Sequence, residues 1–506
     1  MIRKTVSVIA LVAALSAQAS VHLADPFADG AVLQRGMRVP VWGTADPGET
    51  VAVSFAGQSA KTVAGADGAW RVDLAAMEAC REGRVLAATG SHGGAPAEAN
   101  GVLVGEVWFC SGQSNMEMPL VKENSARFHD SKGVMRALIT NRPLVRLCRQ
   151  AAYWANAEPR TNCLKKVEWK PCTAETLLGG DSFSAVGVYF ALELFAALDV
   201  PIGIVGAWWG DTPVEAWTPA SGLASVPETA ALATAPVHGT WGWPKDGFGG
   251  CGRAHWQPRV LWNSMIAPWT PYAMRGLVWY QGERNVADGA AYVPKMHALY
   301  NGWAHEFENQ ALGLRFVQVA PWGDERVPAL QMAQARFAAE EPRAAMVTIC
   351  DAGNPADIHP GDKETVGQRL AFLALARDYG FPFDAEAPAP REWRVEGDAF
   401  LVEFGHAKSL CVYNPDKSLV AGLELCGEDG EWRQGTILNL DGTGGLVDGP
   451  RLVVSAEGVS APKKLRYLHS RPWFGAIHNE VNLPAGPFLL TAEPGSGDKE
   501  TAAFLP

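Results

Sequence analysis

Val104-Gly105-Glu106-Val107-Trp108-Phe109-Cys110 runs directly into Ser111-Gly112-Gln113-Ser114-Asn115-Met116-Glu117-Met118-Pro119. The first seven residues form a mostly apolar run of strand length, and the next nine contain the Gly and Pro that break one. Ser114 therefore lies just past a buried strand, in a turn that can present its Oγ to solvent. A serine nucleophile needs that exposure, a histidine to take its proton, and N–H donors for the developing oxyanion. Taken alone, a serine beside a glycine is as readily a turn or cap residue. The stretch is not a Gly-x-Ser-x-Gly elbow, because Asn115 and Met116 follow the serine.

Outward from this stretch, apolar β-branched runs alternate with helical periodicity from about residue 101 to 383. Val102–Cys110, Leu144–Cys148, Ile202–Ala207, Leu277–Tyr280, Phe316–Ala320 and Met346–Cys350 read as strands. Ala185–Ala197, Lys295–Phe307 and Lys363–Tyr379 read as helices. The alternation predicts an α/β domain, 106–385, with a mostly parallel sheet covered on both faces. Reactive residues in such sheets lie beyond the carboxyl ends of the strands. The stretch Pro236–Arg253 is rich in Gly, Trp and Pro without periodicity, and reads as an irregular insertion, one candidate wall of a pocket. Residues 20–105 alternate with period two between Gly and Pro turns, which predicts a β-sandwich-like domain. Residues 386–506 read as a second β-rich domain, able to pack against the first.

Composition narrows the function. The chain has 506 residues, of which 43 are basic and 54 acidic, for a formal net charge of -11. Scattered cations on a net acidic chain make a poor polyanion binder, so a nucleic-acid partner is excluded. Arg3 and Lys4, the apolar run Thr5–Leu15 and Ala17-Gln18-Ala19 have the form of a secretory signal peptide, 1–19, cleaved near Ala19. Secreted or periplasmic localisation is expected, with no stable membrane insertion. Export permits disulfides among the nine cysteines, and Cys163/Cys172 and Cys411/Cys426 are the close pairs. No Cys-x-x-Cys pair or helical metal spacing occurs, and no metal or other cofactor is expected.

Three further segments carry chemistry at presumed strand ends. Asp351-Ala-Gly-Asn-Pro-Ala-Asp357-Ile-His359-Pro360 sets His359 two residues after Asp357 in a loop, where they can act as base and orienting acid. Leu277–Asn285 ends in Gln281, Glu283 and Asn285; a carboxamide N–H suits an oxyanion, and Glu283 can fix that donor or the histidine. Trp208-Trp209-Gly210-Asp211-Thr212-Pro213 places two aromatics in a glycine loop, where they are either sugar-stacking platforms or core.

Gly-Gln-Ser114-Asn-Met, Trp-Tyr-Gln281-Gly-Glu and Asp357-Ile-His359-Pro, in that order, resemble the sialate O-acetylesterase family, within the SGNH (GDSL-type) serine hydrolases. Pro40-Val-Trp-Gly43, Trp209–Trp217 and Leu483-Pro-Ala-Gly-Pro-Phe488 extend the likeness over most of the chain. The resemblance implies an SGNH-like three-layer catalytic domain. It also implies hydrolysis of O-acetyl esters on a small-molecule or glycan substrate, with Ser114 as nucleophile and His359 as general base. Asp357 is the chosen acid; Asp351, Glu283 and a bare Ser–His dyad are rivals, because Ala356 stands where the superfamily has its aspartate. The implied oxyanion hole combines the Ser114 N–H, a backbone N–H near Gly187, and Gln281, with Asn285 as the alternative. Asn115, Glu283, Arg284, Trp208, Trp209 and Gly210 are supporting or substrate-binding candidates. Arg284 and Asp211 depart from the residues the family would have there. Arg284 either meets a sialate carboxylate or pairs with a neighbouring acid. Acetylated xylan or another glycan is the alternative substrate, for which Trp208, Trp209, Trp241 and Trp243 are candidate platforms. A non-catalytic carbohydrate-binding protein is the alternative of another class.

Overall fold

The computed structural model describes residues 21–121, 133–150, 154–179, 183–237, 241–242, 254–353, 356–413, 419–441, 445–447, 449–470 and 474–492. The signal-like segment, Trp243, Cys251 and most of the 236–253 insertion lie outside them.

One strand, β1 (Ala97–Gly112), organises the molecule. With β2 (Asn141–Arg149), β3 (Trp169–Thr173), β4 (Ile202–Trp208), β5 (Gly276–Tyr280), β6 (Gly313–Val317) and β7 (Ala344–Val347) it forms a sheet in the order β3-β2-β4-β1-β5-β6-β7. Its neighbouring pairs are parallel, except that β3 runs antiparallel on the edge beside β2. Every residue of β4, β5 and β6 is buried, as strands covered on both faces must be. Alternate side chains feed two cores: Val107 and Phe109 enter one, Trp108 and Cys110 the other.

Helices cover both faces. On one, α1 (Ala185–Leu198) crosses α4 (Lys363–Tyr379); on the other lie α2 (Tyr292–Glu306) and α3 (Val327–Glu340). Ser184 caps α1 by accepting the Gly187 N–H at 3.1 Å, and Asp362 caps α4 by accepting that of Thr365 at 3.1 Å. Gly367 lets α1 and α4 close up, since a Cβ there would sit 2.5 Å from the Tyr189 Cβ. Sequence reasoning missed β3 and α3. Pro171 lies in β3, beside a register shift, which only an edge strand tolerates. Buried Gln331 and Gln334 interrupt the apolar stripe of α3.

The flanking units are β-rich. In the first, Val39–Thr44 pairs with Ala69–Leu74, and Thr50–Phe55 lies between Gln58–Val63 and Cys80–Gly90. Cys80–Gly90 pairs with β1, so the 105/106 boundary falls inside a strand and the sheet runs through it. The second has a seven-stranded antiparallel sheet, a three-stranded one, and its own core. It docks on the α/β domain: Pro484 O accepts from Thr348 Oγ1 at 2.7 Å, and Cys350 O accepts from the Gly475 N–H at 3.1 Å.

The eight described cysteines are free thiols, so neither of the two close pairs is bridged. Cys163 and Cys172 pack into cores on opposite faces of the mainly parallel sheet, and Cys411 and Cys426 belong to different sheets.

Glu106, fully buried in β1, joins three parts of the fold. It accepts from Gln34 at 2.9 Å and ion-pairs Arg35 in the N-terminal unit. Arg275 before β5 donates to it at 3.1 Å, and the Tyr379 hydroxyl that closes α4 at 3.0 Å. Removing one partner of a buried ion pair costs about 3–5 kcal/mol. Glu106→Leu is expected to lose that much, read as a lowered urea midpoint.

Candidate active site

β1 ends at Gly112, whose φ of +143° and close approach to Tyr280 exclude a side chain; a Cβ would lie 2.1 Å from the Tyr280 carbonyl oxygen. The Gln113 N–H then donates to that same oxygen at 3.1 Å, and a short helical turn, Ser114–Glu117, begins. The turn stands at the carboxyl ends of the parallel strands. The segment 356–360, after β7, comes to meet it. Ser114 Oγ and His359 Nε2 are 2.9 Å apart, so the two strand-end segments read from sequence meet within hydrogen-bond reach.

The acids divide clearly. Asp357 Oδ1 accepts the backbone N–H of His359 at 2.9 Å and stands 3.7 Å from its Nδ1, too far for a hydrogen bond to the ring. Asp351 is committed elsewhere, in a bidentate pair with Arg369 at 2.7 Å and with His478 at 3.5 Å. Burial pushes its carboxyl up, but the bonds from Arg369 and His478 outweigh this and hold it well below the usual carboxylate range. Glu283 is buried and accepts from Asn115 Nδ2 at 2.5 Å, while its Oε2 has no hydrogen-bond partner among the described residues. Burial raises its pKa against the opposing pull of its own N–H, Asn115 and Lys363.

Three of the expected oxyanion donors are corrected, because their hydrogens are already spent. Gln281 Nε2 donates to Thr212 O at 3.0 Å and Asn285 Oδ1 at 2.7 Å. Asn285 Nδ2 donates to Glu215 at 3.0 Å and Asp288 at 2.7 Å. The Gly187 N–H serves the cap of α1. Gly210 does stand against Ser114: a Cβ on it would lie 3.3 Å from that of the serine, and its N–H donates to Glu117 at 2.8 Å.

Trp208 and Trp209 are buried, at 2% and 1% exposure, which corrects the platform role; they are core. Trp208 packs edge-on against Phe183, and Trp209 stacks on His255. Of Trp241 only the backbone is described, in a short strand paired with Trp154–Ala155. Arg284 lies 3.4 Å over the Trp256 ring and 3.6 Å from Asp211, so a neighbouring acid does face it.

A cavity of about 430 Å³ opens on Ser114 and His359, lined also by Gln113, Glu283, Arg284 and Trp322. A larger one, about 1440 Å³, lies between the N-terminal unit and the catalytic domain around Trp42 and Trp262, apart from these residues. Sequence reasoning missed Gln113, Trp322 and the fully buried Lys363. Trp322 had the available signal, an aromatic in a Pro/Gly loop after a strand. Lys363 had another: a cation in the first turn of a helix opposes the macrodipole and calls for a local anion.

A hydroxyl paired with an imidazole in a strand-end cavity has the form of an ester hydrolase. The comparisons give the same class: the chain is a carbohydrate O-acetylesterase. Residues 104–375 match the family described as carbohydrate esterase, sialic acid-specific acetylesterase, more than half of the chain, and the chain belongs to it. The sialate O-acetylesterase of Homo sapiens is 27% identical over 415 residues, 75% of each chain. That of Rattus norvegicus is 28% identical over 424 residues, 74% of this chain and 77% of its own. A carbohydrate acetylesterase from Xanthomonas citri has a similar structure, with a TM-score of 0.79 and 31% identity over 94% of this chain and 100% of its own. Membership in an esterase family sets aside the non-catalytic reading.

Burial lowers the pKa of His359, Lys363 lowers it further, and Asp357 opposes both. A base works in its neutral form, and activity falls as pH drops through its pKa. The acid limb of kcat/KM is therefore expected below the ~6.5 of an ordinary histidine. A pH–rate profile on a soluble acetyl ester checks it.

Proposed function

We propose that the chain is a serine O-acetylesterase of SGNH type that removes acetyl groups from sialic acid. The observation that carries the reading is the 2.9 Å contact of Ser114 Oγ with His359 Nε2 inside a strand-end cavity. His359 takes the Ser114 proton as Oγ attacks the acetyl carbonyl. The oxyanion would be met by the Ser114 N–H, which opens a helical turn and so lacks an intrahelical acceptor. Gln113 is the second donor: its Oε1 accepts the Arg284 N–H at 3.2 Å, which turns its amide nitrogen the other way. His359 then returns the proton to the leaving sugar oxygen and later activates the water that releases acetate.

Asp357 orients the base through the loop backbone and acts on the ring by charge. Removing a hydrogen-bonded triad acid costs about 10⁴ in kcat. At 3.7 Å Asp357→Asn is expected to cost roughly 10- to 100-fold. Ser114→Ala is expected to abolish turnover and labelling by a fluorophosphonate probe. Persistent Ser114-independent hydrolysis would sink the mechanism.

For a sialate, the cavity offers the guanidiniums of Arg284 and Arg326 to a carboxylate, and Trp322 to the sugar ring. A neutral glycan such as acetylated xylan is the second reading, favoured by the acids beside both cations: Asp211 at 3.6 Å from Arg284, and Asp324 at 2.6 Å from Arg326. Acetate release from 9-O-acetylated sialic acid is expected to exceed that from acetylated xylan, and the reverse order would overturn the sialate assignment. The signal-like N-terminus supports action outside the cytoplasm.

A further inference from the structure

Lys363 is the first residue of α4 and is fully buried. Burial and the helix macrodipole both disfavour an ammonium there, so its surroundings must stabilise it. Lys363 Nζ donates to Asn115 Oδ1 at 2.6 Å, and the Tyr280 ring lies 5.2 Å away. Asn115 follows the nucleophile in sequence. Its Nδ2 donates to Glu283 at 2.5 Å and to the carbonyl of Ile358, the residue before the base, at 3.0 Å. One carboxamide thus ties the nucleophile's turn to the base's loop. An ammonium has donors only, so the Asn115 oxygen must face Lys363 and the amide hydrogens must face Glu283 and Ile358.

We propose that Lys363, acting through Asn115, is a positioning residue for His359, fixing the base loop against the nucleophile's turn and holding a positive charge near the imidazole. The proposal rests on the serine-esterase reading above. The Glu283 carboxyl lies in the same buried cluster, held by Asn115. The charged groups around His359 are Asp357 on its own loop, Lys363 from α4, and Glu283 and Arg284 after β5. Asp211 after β4 and Asp324 and Arg326 after β6 line the rest of the cavity. Of these, Lys363 disfavours the imidazolium and Asp357 favours it.

Lys363→Met is expected to move the acid limb of kcat/KM up by about one pH unit. It should also lower the plateau kcat roughly 10- to 100-fold, with KM near wild type. Lys363→Arg, which keeps the charge, should return the limb to its wild-type position. A purely structural lysine would lower the thermal midpoint without moving the limb. An unmoved limb or an unchanged plateau kcat in Lys363→Met overturns the proposal. Should that variant not fold, the near-isosteric Asn115→Asp decides. It keeps an acceptor for Lys363 but removes both N–H donors, so kcat should fall over the same range, and a wild-type kcat overturns the proposal. Turnover by Ser114→Ala would instead remove the esterase mechanism on which the proposal depends.

Discussion

The sixteen residues of β1 are one uninterrupted strand, and its backbone hydrogen bonds constrain everything around it. Its first half pairs with the N-terminal unit through Cys80–Gly90, and its second half lies between β4 and β5. From Val102 onward every residue is buried, so a one-residue register slip would send each side chain into the wrong one of the two cores. The nucleophile lies two residues past the strand's end. Its position is therefore set by the pairing of Gly112 with Trp208 on one side and Tyr280 on the other. Glu106 anchors the middle of this strand with the cations of two different units.

What the sequence made legible follows from what each feature leaves in local pattern. Fully buried parallel strands are continuous apolar runs, and Ile202–Trp208 was placed within one residue for that reason. Ser114, His359 and Asp357 stand in short motifs at the ends of such runs, and they do come together. The donors were harder. Gln281 and Asn285 have the right side chains at the right strand end, but hydrogen bonds to Thr212, Glu215 and Asp288 are non-local and leave no mark in periodicity. The same limit hid Lys363, whose partner Asn115 lies 248 residues away. Trp208 and Trp209 show the converse: adjacent aromatics in a glycine loop are written identically whether they face a sugar or a core. The two cores on opposite faces of the sheet claimed them.

The loop that carries the base is held at both ends by different parts of the chain. At its start the C-terminal unit grips it, through the Gly475 N–H on Cys350 and through His478 beside Asp351. Arg369 on α4 completes that grip and draws Asp351 away from His359, so the acid that opens the loop cannot be the one that serves the base. At its end, Asn115 takes the Ile358 carbonyl and Lys363 fixes Asn115. The nucleophile arrives on a strand shared with the N-terminal unit, and the base on a loop braced by the C-terminal one. The three textures of the sequence are thus one catalytic body, and the 2.9 Å between Ser114 and His359 depends on contacts from all of them.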